Sequence, residues 1–324
     1  MLLNFNQILV RCARLIVEYL HPEGRSTLQA LILAGGRGTR MRPLTDIRPK
    51  PLLYLPGGVL LDYVLAHVRL LPIREIGLVL QYEGEEVARY LAPHPHEITL
   101  IPQRPPLTVL GALASAIDWV HEPTLVLHAD TYLSASLHYL VQPFMRGQAG
   151  APTFLVDTAN PSSYRSTRLA RAGAYVLPPE VFRIAAKIAE ADTLLALTAE
   201  LAVRGIETAI VPARGWQRTI IEPSDLLAVN RHLLVNWHET AHPVSANAGY
   251  DPMTFSWIAP DARADERRLG LYVTIGERAV IESSRLHNCL VFPGVSLANA
   301  EEENAILTET RNELLRIYAP NGSS

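Results

Sequence analysis

The sequence is short of cysteine, of lysine and of long apolar runs, and each shortage excludes something. Only two cysteines, Cys12 and Cys289, occur in 324 residues. That is too few for a disulfide framework, so reduced thiols and a cytoplasmic protein are expected. No stretch reaches the roughly 18 uninterrupted apolar residues of a membrane span. Arg11, Arg14 and Glu18 break up what a leader peptide would need as its apolar region. Aromatic residues make up 7% of the chain, charged residues 19% and hydrophobic residues 48%, with a formal net charge of −3. This balance is that of globular protein and argues against disorder and against nucleic-acid binding through bulk charge; neither a nucleic acid nor a membrane is expected as a partner. Of the 29 lysines and arginines only Lys50 and Lys187 are lysines, a bias of genome composition that still draws the eye to Lys50.

What is there has a clear order. Residues 1–27 carry apolar side chains at helical spacing, ended by Pro22 and Gly24, and predict an amphipathic helix packed on the domain or on another subunit. Short apolar runs at 29–33, 76–81, 98–102, 124–129, 153–156, 173–177 and 207–211 predict strands. They alternate with helical patterns at 59–71, 84–91, 110–120, 179–190, 193–204 and 224–235. Such alternation predicts an α/β domain over 28–240, doubly wound around a mostly parallel sheet. Ligands of such sheets bind beyond the carboxyl ends of strands, which directs attention to the loops after residues 33 and 129. A linker is expected over 241–262. An aliphatic residue at about every sixth position from Ile275 then predicts a short left-handed parallel β-helix over 263–310, closed by a helical tail over 311–324, with its helix at about 311–318.

The loop after the first strand reads Ala34-Gly35-Gly36-Arg37-Gly38-Thr39-Arg40. Three glycines in four residues let peptide N–H groups turn toward an anion. Arg37, Arg40, Arg42, Arg48 and Lys50 follow within fourteen residues, opposed only by Asp46. Guanidinium groups hold phosphate oxygens bidentately and an ammonium acts as a mobile point charge, so a polyphosphate is the expected ligand. The spacing fits neither a Walker A loop nor a dinucleotide fingerprint; the plain structural alternative is a glycine turn with a solvated basic rim.

With Pro43-Leu44-Thr45 and Pro49-Lys50-Pro51 completing it, this segment resembles the signature of the sugar-phosphate nucleotidyltransferases, over about residues 28–310. The resemblance implies transfer of a nucleotidyl group from an NTP to a sugar 1-phosphate with release of pyrophosphate and with Mg²⁺ as cofactor. It implies that Arg40 and Lys50 are catalytic and that Ala34, Gly35, Gly36, Gly38, Thr39, Gln103 and Thr108 bind the nucleotide, Gln103 at the base edge. Asp130, after the strand at 124–129, would bind the metal. A homo-oligomer, or a partnership with an active homologue, is expected.

The sequence departs from the family pattern at several positions. Thr108 stands in the base-side loop, Ala129 replaces a glycine before Asp130, and Asn160-Pro161-Ser162 is all that remains where a Glu-Lys-Pro element is usual. Aligned on Pro223, the second metal aspartate becomes Thr219 and the family glycine becomes Ile221, with Glu222 as a substitute ligand. A hydroxyl is not the anionic oxygen that Mg²⁺ favours, so a catalytically silent nucleotide-binding regulator is the alternative. His238-Glu239-Thr240-Ala241-His242 matches a zinc-protease pattern. Pro243 directly after it and the lack of a third ligand speak against that reading, and His94 and His96 are expected to be loop residues.

Overall fold

Leu28–Leu33 is an apolar run buried at every position, as a central parallel strand covered on both faces must be. The structure is a computed structural model that describes residues 28–81, 83–93, 98–134, 136–145, 150–156, 173–239, 249–310 and 313–319. The N-terminal helix expected over 1–27, the loop histidines His94 and His96, and the Asn160-Pro161-Ser162 segment lie outside the described residues.

The chain runs β1 (Leu28–Leu33), α1 (Leu44–Ile47), β2 (Tyr54–Leu55), β3 (Gly58–Val59) and α2 (Leu60–Arg69). It continues with β4 (Ile73–Leu80), α3 (Gly84–Leu91), β5 (Ile98–Pro102), α4 (Val109–Ser115), β6 (Thr124–His128) and β7 (Thr131–Leu133). Then come α5 (His138–Met145), β8 (Thr153–Val156), β9 (Ala174–Leu177), α6 (Pro179–Lys187), α7 (Leu194–Val203), β10 (Ala209–Pro212), β11 (Gln217–Thr219) and α8 (Pro223–Val235). Short strands follow: β12 (Tyr250–Asp251), β13 (Ser256–Ile258), β14 (Arg263–Ala264), β15 (Thr274–Ile275) and β16 (Val280–Glu282). The last are β17 (Arg285–Val291), β18 (Ser296–Ala298), β19 (Glu301–Glu309) and β20 (Leu314–Tyr318). Two units interleave in this order: residues up to Arg37 with His67–Thr219, and Gly38–Ala66 with Ile220–Ser324.

In the first unit seven strands form one sheet in the order β10-β8-β9-β6-β1-β4-β5. β1 pairs parallel with β4 and β6, and β4 with β5; only β9 runs against its neighbours. Leu31, Leu33, Val79, Phe154, Tyr175, Leu110, Leu113, Phe182 and Leu197 build the core on one face. Ala30, Ile32, Leu125 and Leu127 are equally buried and, by the alternation of a strand, point to the other. Gln29, fully buried in β1, is satisfied: its Oε1 accepts from His121 N and Glu122 N at 2.9 and 3.0 Å, and its Nε2 donates to Glu75 at 3.2 Å. The expected strands and helices of this unit are present. α5, which carries Pro143 inside it, is a further helix that the apolar periodicity does not announce.

In the second unit the strands form parallel rungs. Thr274 pairs with Leu290 and Leu290 with Ile306, while Val280 pairs with Ser296. One rung therefore closes after 16 residues, and the expected six-residue step is only the passage from one face to the next, from Ile275 to Ile281 and from Val291 to Leu297. Ile275, Val291 and Leu307 stack fully buried, beside Ile281 and Leu297. The ladder begins at Trp257, within the segment expected to be a linker. α8 lies against β17, β19 and β20, so it goes with this unit although the periodicity alone assigned it to the domain before residue 240. Asn230 on α8 accepts from the Thr274 hydroxyl at 2.6 Å with both side chains fully buried.

The expected C-terminal helix is a strand. β20 pairs antiparallel with β19, with Ile317 opposite Ile306. Glu302, buried on β19, holds it from both sides, accepting from Arg316 Nε and from the Tyr318 hydroxyl at 2.7 Å each. The carboxylate keeps the Tyr318 phenol protonated above its ordinary range. Cys289, buried in β17, has its thiol pushed up to about 11 by burial, which makes it an inert core residue.

Thr274→Val keeps shape and removes the hydroxyl that donates to Asn230 Oδ1. It is expected to lower stability by about 1–3 kcal/mol, read as a lower urea midpoint; an unchanged midpoint would contradict the role given to this bond.

Candidate active site

Four parallel strands of the first unit, β5, β4, β1 and β6, end on the same edge of the sheet. The chain builds β1, β4 and β5 outward in one direction and then returns to place β6 on the other side of β1. The strand order thus reverses between β1 and β6, the place where open α/β sheets leave a crevice for ligands. Ala34 leaves β1 there, its N–H donating to Val79 O at 2.9 Å, and Ala129 N donates to Leu33 O at 2.9 Å across the gap. The glycine loop and Asp130 are consequently the first residues past two adjacent strand ends.

Gly35 lies against the Gln103 carboxamide. Gln103 follows β5, its N–H bonded to Leu80 O at 2.7 Å and its Nε2 donating to Thr108 O at 3.0 Å. Gly36 is exposed and has open space around it, so its backbone is available to an anion. Thr108 is the N-cap of α4: its hydroxyl accepts from Gly111 N at 2.8 Å and donates to Ala189 O at 2.5 Å. Its side chain is thereby turned into the helix cap, and the carbonyl that holds Gln103 is the part of Thr108 that bears on the loop. At Gly111 a Cβ would stand 1.9 Å from Pro106 O, so only glycine lets the 106–111 turn close.

Asp130 is half-buried after β6. Thr131 donates to its Oδ1 at 3.3 Å and lies 3.1 Å from the Thr219 hydroxyl. On β9, Tyr175 stands 3.3 Å from His128 Nε2, its phenol kept protonated by full burial.

The chain passes into the second unit between Arg37 and Gly38. Gly38 has φ +63° and ψ +33° and starts a turn of 3-10 helix over Thr39–Met41. This left-handed conformation strains any residue with a Cβ, and a Cβ there would also meet Thr45 Cγ2 at 2.9 Å. The Gly38 carbonyl accepts from Met41 N and from the Thr45 hydroxyl, both at 2.8 Å. The Pro-Leu-Thr element therefore serves to lock the turn. Lys50 opens a second 3-10 turn, 8% exposed, its Cδ 3.5 Å from where a Gly38 Cβ would lie. Thr39 and Arg40 face solvent, while Arg42 pairs with Asp46 at 2.9 Å.

Glu222 caps α8 in a reciprocal capping box with Asp225 and accepts from the Ser224 hydroxyl at 2.7 Å, which accounts for its carboxylate without a metal. Of the zinc-protease pattern, His238 and Glu239 lie in a single 3-10 turn, Trp237–Glu239, after α8 ends at Val235, and His238 stands edge-on to Tyr250. His242 lies outside the described residues. Among the described residues no three His, Cys, Asp or Glu side chains are grouped to hold a metal, and no helix is long and apolar enough to cross a membrane.

The family model described as nucleotidyl transferase matches residues 29–165, which span β1, the glycine loop, Gln103 and Asp130. A Haloferax volcanii low-salt glycan biosynthesis nucleotidyltransferase, Agl11, is 27% identical over 240 residues, covering 64% of this chain and 66% of that one. The chain is similar to sugar-phosphate nucleotidyltransferases. A second relative, the bifunctional protein GlmU of Methanocaldococcus jannaschii, is 26% identical over 229 residues, 64% of this chain and 54% of that one. The chain thus spans between about half and two thirds of these relatives' lengths. The fold is matched by a Bacillus anthracis crystal structure described as a glucose-1-phosphate thymidylyltransferase in complex with sucrose. Its TM-score is 0.54 at 17% identity, over 63% of this chain and 94% of that one.

Divalent metal use is general in this family, and the donors next to the switch point can be tested against it. Asp130, Thr131 and Thr219 offer hard oxygen with one negative charge. Magnesium in nucleotide sites is held through one or two carboxylates with phosphate oxygens and water completing its octahedron. The residues fit such an ion.

Gly111→Ala is expected to force the 106–111 turn apart, lowering stability by about 1–3 kcal/mol and raising the KM for nucleotide, because Gln103 loses its Thr108 anchor. Unchanged thermal and kinetic behaviour would show that the turn tolerates a methyl group.

Proposed function

We propose that this protein transfers a nucleotidyl group from an NTP to a sugar 1-phosphate, giving an NDP-sugar and pyrophosphate. The observation that carries this reading is the glycine turn at the switch point of a parallel sheet, continuous in sequence with an arginine- and lysine-rich segment. Free N–H groups at such a turn bind phosphate without a protein nucleophile. In-line displacement at phosphorus needs alignment and charge stabilisation above all.

The roles follow from the residue types. The amides of Gly35 and Gly36 bind phosphate oxygens, with Ala34, its own N–H held by Val79 O, fixing where the loop leaves the sheet and Gly38 and Thr39 shaping the turn that follows. Arg40 and Lys50 neutralise charge on the triphosphate and at the reacting phosphorus. Gln103, anchored by Thr108, offers its amide to the base edge. Asp130 would hold Mg²⁺, which when bound offsets phosphate charge and favours departure of pyrophosphate. The parallel rungs over 257–310 are read as turns of a left-handed β-helix and, with the N-terminal segment, as contacts in a homo-oligomer.

Pyrophosphate release from a panel of NTPs is expected only when a sugar 1-phosphate is present, and Lys50→Ala should lower kcat by about 10²-fold or more. Nucleotide binding without release across the whole panel would make the protein a binding homologue instead.

A further inference from the structure

Thr131 and Thr219 face each other across the β7/β11 ribbon, whose register pairs Thr131 with Thr219, Tyr132 with Arg218 and Leu133 with Gln217. The ribbon is stiff: Ser134 N donates to Trp216 O at 2.8 Å, and the Tyr132 and Trp216 rings pack at 5.9 Å. Thr131 is 4% exposed, so water competes little for its hydroxyl. That hydroxyl carries one proton. With the proton donated to Asp130 Oδ1 at 3.3 Å, the 3.1 Å contact with Thr219 requires Thr219 to be the donor. The result is a directed relay, Thr219 to Thr131 to Asp130.

We propose that Thr219 is a positioning residue that orients Asp130 through Thr131 while adding no charge, so that the site takes up a divalent cation together with a triphosphate and not by itself. This rests on the nucleotidyl-transfer reading above. One carboxylate offsets half the charge of a divalent ion, and magnesium sheds its water reluctantly, so the remaining anionic oxygens come from the phosphates. An aspartate at 219 would reverse this. Two carboxylates on one rung repel each other when empty and attract the ion without nucleotide.

Mn²⁺ is the probe, titrated into the full chain and followed by water-proton relaxation enhancement, which separates ion on the protein from ion on free nucleotide. The titration is run with and without a non-hydrolysable triphosphate, and nucleotide binding alone is measured by calorimetry in chelator. Wild type is expected to enhance relaxation only with nucleotide. Thr219→Val should weaken Mn²⁺ in the nucleotide-loaded protein about 10- to 100-fold, the usual loss when a partner of a metal ligand is removed, and Thr219→Ser should restore it. Thr219→Asp should tighten Mn²⁺ binding to the nucleotide-free protein at least tenfold. Equal Mn²⁺ affinity of the wild type with and without nucleotide overturns the proposal, as does a Thr219→Val protein that melts like wild type and loses no affinity. A protein that binds no triphosphate in chelator or in Mn²⁺ overturns the functional reading itself, a result that the nucleotide-free arm cannot produce.

Discussion

Peptide N–H groups can bind a polyphosphate only where they are held still and left uncovered, and this constraint organises the first unit. β1 is fixed by parallel partners on both sides and buried on both faces. Its direction past Leu33 is therefore set by the sheet, not by the loop. The glycines that follow remove side chains where an anion would approach. The return of the chain to lay β6 beside β1 brings Asp130 to the same edge. The uncovered amides of the glycine loop and the Asp130 carboxylate thus come to the same edge through strand order.

The supports of this edge are made of backbone capture by short polar side chains. Thr108 caps α4 while its carbonyl fixes Gln103, and Thr131 holds Asp130; within the second unit Thr45 likewise locks the Gly38 carbonyl. Each uses a hydroxyl or amide whose reach is a few ångströms, which transmits position without bringing charge. Positive charge is concentrated instead in the arginines and the lysine of the segment 37–50. The ladder of the second unit follows the same economy of charge: its core is aliphatic, and its buried carboxylate, Glu302, is satisfied twice and clamps the final strand.

Much of this was legible in the residues. Apolar runs such as Leu28–Leu33 and Thr124–His128 state their burial outright, and the glycine-arginine segment states its chemistry. What misled were patterns that two structures satisfy equally. Leu314, Leu315 and Ile317 fit a helical stripe, but in the folded chain antiparallel pairing with β19 and the Glu302 clamp decide for a strand. The six-residue aliphatic step disguised a 16-residue rung, because a sequence shows the spacing along the chain and not which residues lie above one another. Thr219 could be recognised as the residue where a carboxylate was expected. Its link to Asp130 depends on the β7/β11 register, which no local pattern encodes.

The central claim, that the turn after β1 grips a polyphosphate, is tested most directly by amide hydrogen exchange across residues 34–41 with and without a triphosphate. Occupation is expected to slow exchange at Gly35 and Gly36, with the sheet-bonded amides of Leu28–Leu33 and Ala34 unchanged. Exchange in the turn that stays the same at saturating nucleotide of every base would contradict it.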